Sequence, residues 1–338
     1  MAETFHGVDI DGLLNIRGRK GYGVSVAVAD GDSIETYCSR SGRFGQDFPV
    51  VPDMLFQAAS VSKPMFALTL LRYVDKGIID LDADISPIVP EYVKMPLTFP
   101  ALLSHTAGFN VHGFLGYPAD TPEMSLEDVL DGRGNSPRVR RIRPYGKQYR
   151  YSGGGITIAE LAFTRMTGTA LRDAFQREVA EPLGLTRTGY FQPLDDDFAG
   201  NAAFGGRLCL KEVPDRGWHY YPEHAAAGLW TTPSELCRIG IALSRSCRDG
   251  GILNKETARR MMTPVMKDYG LCLRSLNSEE REEEVAGHSG WNEGFLTSWT
   301  FSRTRDFCVA LMYNRSAVKP NIELDNINIA LFRAGKEK

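Results

Sequence analysis

Residues 56–71 read Phe56-Gln57-Ala58-Ala59-Ser60-Val61-Ser62-Lys63-Pro64-Met65-Phe66-Ala67-Leu68-Thr69-Leu70-Leu71. Proline is tolerated in the first turn of a helix, where backbone N–H groups lack internal partners, so Pro64 predicts a helix that opens beside Ser60. The serine then sits in the field of the positive helix end, where a developing oxyanion can be held. Lys63, three residues on, shares its helical face. An amine desolvated at that place loses part of its preference for the charged form and can act as a base. Taken alone, Ser-x-x-Lys also describes a helix cap followed by a surface cation.

On either side of this stretch the texture changes. Residues 23–29 and 33–39 flank Asp30-Gly31-Asp32 and predict a hairpin; residues 295–301 and 307–313, around a polar turn, predict a second one. Residues 322–332 read as a terminal helix. Residues 65–74 and 159–179 carry helical periodicity, separated by Pro- and Gly-punctuated connections. Sheet at both ends and helices between them predict one discontinuous α/β domain, residues 1–75 with 210–338. A mostly helical region, residues 76–209, is inserted into it, with a cleft between the two.

Two further stretches carry chemistry. Tyr149-Arg150-Tyr151-Ser152-Gly153-Gly154-Gly155 places a tyrosine before a glycine run that lets backbone approach a ligand, ahead of an apolar helix from Ile156. Gly287-His288-Ser289-Gly290-Trp291 precedes the second hairpin, where an edge strand can offer N–H groups to a substrate carbonyl.

With these three ordered elements the chain resembles the serine beta-lactamase and penicillin-recognising superfamily, on its class C side with D-aminopeptidases, D-alanyl-D-alanine carboxypeptidases and related esterases. Ser60-Val61-Ser62-Lys63 matches the family's Ser-x-x-Lys. Tyr151-Ser152-Gly153 matches Tyr-x-Asn except at its third position, and His288-Ser289-Gly290 matches the Lys/His-x-Gly element. Leu102 to Gly108, Glu181 to Leu185 and Ala227 to Thr232 also look like it, so the likeness covers about residues 20–315.

The resemblance implies a beta-lactamase-like antiparallel sheet flanked by helices. It further implies Ser60 as acylated nucleophile and Lys63 with Tyr151 as proton-shuttling pair, either of them taking the first proton. The backbone N–H groups of Ser60 and Trp291 would form the oxyanion hole, and His288, Ser289, Gly290 and Gly153 would lie on the substrate side. Gly153 stands where beta-lactamases carry an asparagine, and His288 replaces a permanently charged lysine. Both departures favour small esters, amides or D-amino-acid-containing peptides over beta-lactams. An acyltransferase or peptide cyclase using the same acyl-enzyme is the alternative, and a beta-lactamase or D,D-carboxypeptidase the next.

Composition narrows the rest. The 338 residues carry 39 Lys+Arg against 42 Asp+Glu, a net −3 that gives no global attraction for nucleic acid or anionic membrane. Lys63 interrupts the longest apolar run, Met54 to Leu71, so no spanning helix is expected. The N-terminus has no signal-peptide pattern, which makes the expectation a cytoplasmic protein. Six scattered cysteines (Cys38, Cys209, Cys237, Cys247, Cys272, Cys308) fit reduced thiols, not a zinc ribbon.

His105 and His112 lie seven apart and no His-x-x-x-His occurs, so neither metal nor other cofactor is expected. A Gly-x-Ser-x-Gly elbow fails because Trp291 occupies its last position and no histidine follows His288. His105 reads as a loop-holding residue, and His112, Phe114 and Tyr117 read as cleft wall. The aromatic cluster Trp218 to Tyr221 reads as either a pocket lid or packing. The basic run Arg133, Arg138, Arg140, Arg141, Arg143, Lys147 and Arg150 reads as a solvated loop, or as a strip that steers an anionic substrate or a carrier domain.

Overall fold

The structure is a computed structural model. It describes residues 4–14, 22–43, 46–207, 211–214, 216–275, 284–316 and 320–335; Cys209 and most of the acidic stretch 279–284 lie outside them.

Six antiparallel strands form the main sheet: β1 (Val24–Asp30), β2 (Ser33–Ser39), β3 (Arg274–Ser275), β4 (Val285–Asn292), β5 (Phe295–Ser302) and β6 (Phe307–Tyr313), in the order β2-β1-β6-β5-β4-β3. Both predicted hairpins form. The sheet is closed across the chain's two ends by β1 against β6, from Val24 opposite Tyr313 to Asp30 opposite Phe307.

Period-2 alternation assigns the two faces of β1. Val24, Val26 and Val28 pack with Leu311, Leu324, Ile327 and Phe332, the last four belonging to β6 and the terminal helix, while Ala27 and Ala29 join the larger core on the opposite face. There a long helix, Pro233–Asp249, lies on the sheet. Gly240 makes the approach possible, since a Cβ there would stand 2.6 Å from Cys308 Sγ.

The helix predicted beside Ser60 is α1 (Ser62–Asp75), buried on nearly every side, with Phe66 and Tyr73 edge-on to Phe163 of α2 (Gly153–Thr167). The periodicity over 159–179 is thus split. α2 starts six residues earlier and ends at Gly168, which adopts a left-handed φ of 64°. Helix resumes over Leu171–Phe175 and runs on through Ala180.

The glycine run is not a loop but the first turn of α2. Ser152 Oγ accepts from the Gly155 N–H, and the Gly153 and Gly154 N–H groups donate to the carbonyls of His112 and Val111. Side chains have no room there: a Cβ on Gly153 would meet Phe114 Cε2 at 2.9 Å, and one on Gly154 would meet Val139 Cγ2 at 2.9 Å.

One buried amide ties the start of the sheet to its end. Asn314 Oδ1 accepts from the Gly23 N–H at 2.5 Å, and its Nδ2 donates to the carbonyls of Gly42 and Phe204, both at 3.0 Å. Asn314→Leu would leave these backbone groups unpaired in the interior. The expected cost is about 3–5 kcal/mol, read as a lower urea midpoint with unchanged slope.

Among the described residues no helix is long and apolar enough to cross a membrane, and no cluster of three His, Cys, Asp or Glu side chains could hold a metal. The five described cysteines are free thiols.

Candidate active site

Ser60 lies in a short helical turn, Ala59–Val61, that leads directly into α1. Ala59 takes a left-handed φ of 52°, which is costly for a residue with a Cβ and must be imposed by its surroundings. The constraint comes from Ser62, whose Oγ donates to the Ala59 carbonyl at 2.5 Å and accepts from the Leu229 N–H at 3.0 Å. Tyr190 adds a hydrogen bond to the Ser62 carbonyl at 2.9 Å.

Lys63 is 2% exposed. Its Nζ lies 3.0 Å from Ser60 Oγ and donates to the Ala226 carbonyl at 2.7 Å, a group presented by the short helix α3 (His224–Ala227). Burial pulls the amine down to about 7, against the opposing pull of Cys272 and Glu223. The Cys272 thiol is itself pushed far up by burial and Glu223 is raised to about 8, so at neutral pH neither presents a full negative charge to the amine.

Tyr151 stands just before the Ser152 cap of α2, its ring centroid 5.0 Å from Lys63 Nζ. His105 and His112 rings lie at 4.2 and 4.9 Å from it. Burial pushes the phenol well above its usual range, while a hydrogen bond with the Ser60 side chain acts the other way. The group is therefore a protonated phenol at neutral pH. His105 has the loop-holding role, because its Nδ1 accepts from the Ser152 N–H at 3.2 Å and fixes the residue next to Tyr151.

The third segment arrives on β4. The short β3 pairs only with Ala286 and Gly287, so beyond Gly287 the outer edge of β4 has no strand partner among the described residues. The edge predicted from sequence is therefore a half-edge. Gly290 brings it against the Ser60 turn: a Cβ there would stand 2.2 Å from the Ala58 carbonyl oxygen and 3.0 Å from Ser60 N.

His288 is buried. Its Nδ1 lies 2.5 Å from the Ser289 carbonyl, which can only accept, so the ring proton is on Nδ1 and Nε2 accepts from Tyr269 OH at 2.8 Å. Burial and then the Lys63 charge lower His288 to about 3, leaving a neutral imidazole.

Ser60, Lys63, Tyr151, Gly290 and His288 are thus brought together from three remote stretches. Ser289 is half-buried with its carbonyl occupied by His288, and the Trp291 side chain is 59% exposed. Gly153 lies packed beneath Phe114 in the first turn of α2.

Three neighbours escaped the sequence reading: Tyr269, Glu223 and the Ala226 carbonyl. Glu223 is fully buried, neither carboxyl oxygen has a hydrogen-bond partner on another residue among the described ones, and burial raises it to about 8; Glu160, whose carboxyl oxygen accepts from the Ala225 N–H, is also raised to about 8 by burial. A charged residue inside the apolar run 225–229 would have been a visible signal, but Glu223 falls two positions before it. The aromatic cluster beside it is packing: Trp218 meets Trp230 edge-on at 5.4 Å, and Tyr221 is wholly buried.

A buried amine on a serine hydroxyl, beside a phenol and the edge of an antiparallel sheet, defines a serine hydrolase of the penicillin-recognising kind. The chain belongs to the beta-lactamase family, whose profile matches residues 15–334. It is similar to esterase EstB of Burkholderia gladioli, 30% identical over 74% of this chain and 68% of the esterase. It is also similar to penicillin-binding protein 4* of Bacillus subtilis, 23% identical over 80% of this chain and 63% of that protein. Among solved structures, the D-amino acid amidase of Ochrobactrum anthropi superposes with a TM-score of 0.80 at 21% identity, covering 97% of this chain and 98% of the amidase.

Proposed function

We propose that this hydrolase forms an acyl-enzyme at Ser60 and cleaves small esters, amides or D-amino-acid-containing peptides. The observation that carries the reading is the 3.0 Å approach of Lys63 Nζ to Ser60 Oγ, with the amine held near neutrality by burial. A free amine at that place accepts the serine proton as Ser60 attacks the carbonyl carbon. Tyr151, held as a neutral phenol, then passes its proton to the leaving group and is reprotonated by the Lys63 ammonium. The N–H groups of Ser60 and Trp291 receive the oxyanion, and water releases the acid while the same pair returns the proton.

Neutral His288 leaves the inner pocket without the fixed cation that pairs a beta-lactam carboxylate, which supports neutral acyl groups at that point. The esterase and the D-amino acid amidase to which the chain is similar favour the same substrate class.

The test is covalent labelling with a fluorophosphonate followed by mass mapping, alongside a panel of 4-nitrophenyl esters, D-aminoacyl amides and a chromogenic cephalosporin. The adduct is expected on Ser60, with clear ester turnover, poor cephalosporin turnover, and neither labelling nor turnover in Ser60→Ala. An adduct on another residue, or an alanine variant of full activity, overturns the reading.

A further inference from the structure

Residues 138–150 read Arg138-Val139-Arg140-Arg141-Ile142-Arg143-Pro144-Tyr145-Gly146-Lys147-Gln148-Tyr149-Arg150, six cations and no acid in a chain whose net charge is −3. Such a run normally relieves its self-repulsion with nearby carboxylates. Here Asp131 pairs with Arg133 and, at 3.7 Å, with Arg138, while Arg140, Arg143 and Lys147 are exposed and make no ion pair among the described residues.

The strip is nonetheless fixed in place. The Ile142 and Arg143 N–H groups donate to the Gly108 carbonyl, that of Gly146 to Thr106, and that of Arg150 to His105, the residue that also holds Ser152. Arg141 is anchored over the Phe109 ring, at 5.6 Å.

The strip ends at Tyr149, whose ring lies 6.0 Å from His105 and 5.4 Å from Tyr269, the partner of His288. A second segment also brings cations to this ring. Lys267 Nζ stands 5.5 Å over Tyr149, and the Arg274 charge, whose own partner Asp268 is 3.4 Å away, reaches Tyr149 and Tyr151. The strip is therefore bonded through its backbone along residues 105–108 and ends at Tyr149, where Lys267 and Arg274 arrive from a remote stretch to form one basic rim, while the His288 imidazole is neutral.

We propose that this rim captures substrates carrying a carboxylate or phosphate group remote from the scissile bond, so that the natural acyl compound is an anion whose charge stays on Arg140, Arg143 and Lys147 while its carbonyl reaches Ser60. This rests on Ser60 being the nucleophile. Guanidinium forks suit either anion, and a local positive field raises the encounter rate of anions and falls with salt.

The experiment compares mono-4-nitrophenyl glutarate with neutral 4-nitrophenyl butyrate across ionic strength. It is run in the wild type, in the triple variant Arg140→Glu/Arg143→Glu/Lys147→Glu and in the milder triple glutamine variant. Inorganic phosphate and glutarate serve as competitors that distinguish the two anions. In the wild type, kcat/KM for the glutarate ester is expected to exceed that of the butyrate ester at low salt by about ten-fold and to converge on it at high salt. Both variants should abolish the preference through KM, with kcat and butyrate turnover retained.

Equal salt response of the two esters in the wild type overturns the proposal. So does a folded variant that keeps the preference, or a strip that retains the protein on heparin without altering the ester ratio. Because the readout is a ratio between two esters on one enzyme, its failure is separate from that of the Ser60 assignment, which only Ser60→Ala and the labelling map decide.

Discussion

Lys63→Met is expected to lower kcat/KM for a small neutral ester by about 10³-fold, within the range that a positioned proton acceptor supplies. The substitution keeps the length and apolar character of a stem that is fully packed, so folding should persist and the loss should fall on the chemical step. The pH profile is the sharper measurement. With the amine drawn down to about 7, Lys63 is an ammonium below that pH and a free base above it, so wild-type kcat/KM should rise with pH and level off past a midpoint near 7.

An unperturbed lysine would place that limb more than three units higher, outside the range in which most enzymes are assayed. The methionine variant should retain only a low and flat activity across the same range. Tyr151→Phe should also fall strongly yet keep the limb, because the phenol stays protonated throughout and only relays. A methionine variant that preserves a limb near 7 would move the base to another residue.

Much of the architecture was open to sequence reasoning because it rests on local signals. The turn at Gly31 and alternation in residues 24–29 specify β1 and β2, and Pro64 marks the opening of α1. The start of α2 was misplaced for a physical reason: glycines are poor helix formers, and only the donation of their N–H groups to residues 111–112, beneath Phe114, makes them a first turn.

The candidate trio Ser60, Lys63 and Tyr151 was legible because each member falls within a short motif. Glu223, Tyr269 and the Ala226 carbonyl act on Lys63 and His288 only through tertiary approach, which no local spacing encodes. The sequence likewise shows the charges of the basic strip, but not that residues 267 and 274 approach Tyr149.

Gly290→Ala is the substitution that isolates the approach of the strand to Ser60. The added methyl would lie 2.2 Å from the backbone oxygen of Ala58, 3.0 Å from Ala59 Cβ and 3.0 Å from Ser60 N, and none of these is the free end of a flexible side chain. Ser62, Leu229 and Tyr190 clamp the turn that carries Ser60, so the half-edge of β4 must be the part that moves.

Overpacking of this kind costs about 1–3 kcal/mol of stability. The larger consequence is kinetic: if Trp291 N–H is an oxyanion donor, displacing it should reduce kcat by about 10²–10³-fold. Lys63 remains where it was, so the surviving activity should keep its limb near 7, the opposite signature to Lys63→Met. Trp291→Ala provides the control, because its side chain is largely in solvent and only its backbone is invoked; that variant should retain kcat within a few-fold. Near-wild-type turnover in Gly290→Ala would mean that the strand edge contributes nothing to the transition state, and the oxyanion would then have to be held by the Ser60 turn alone.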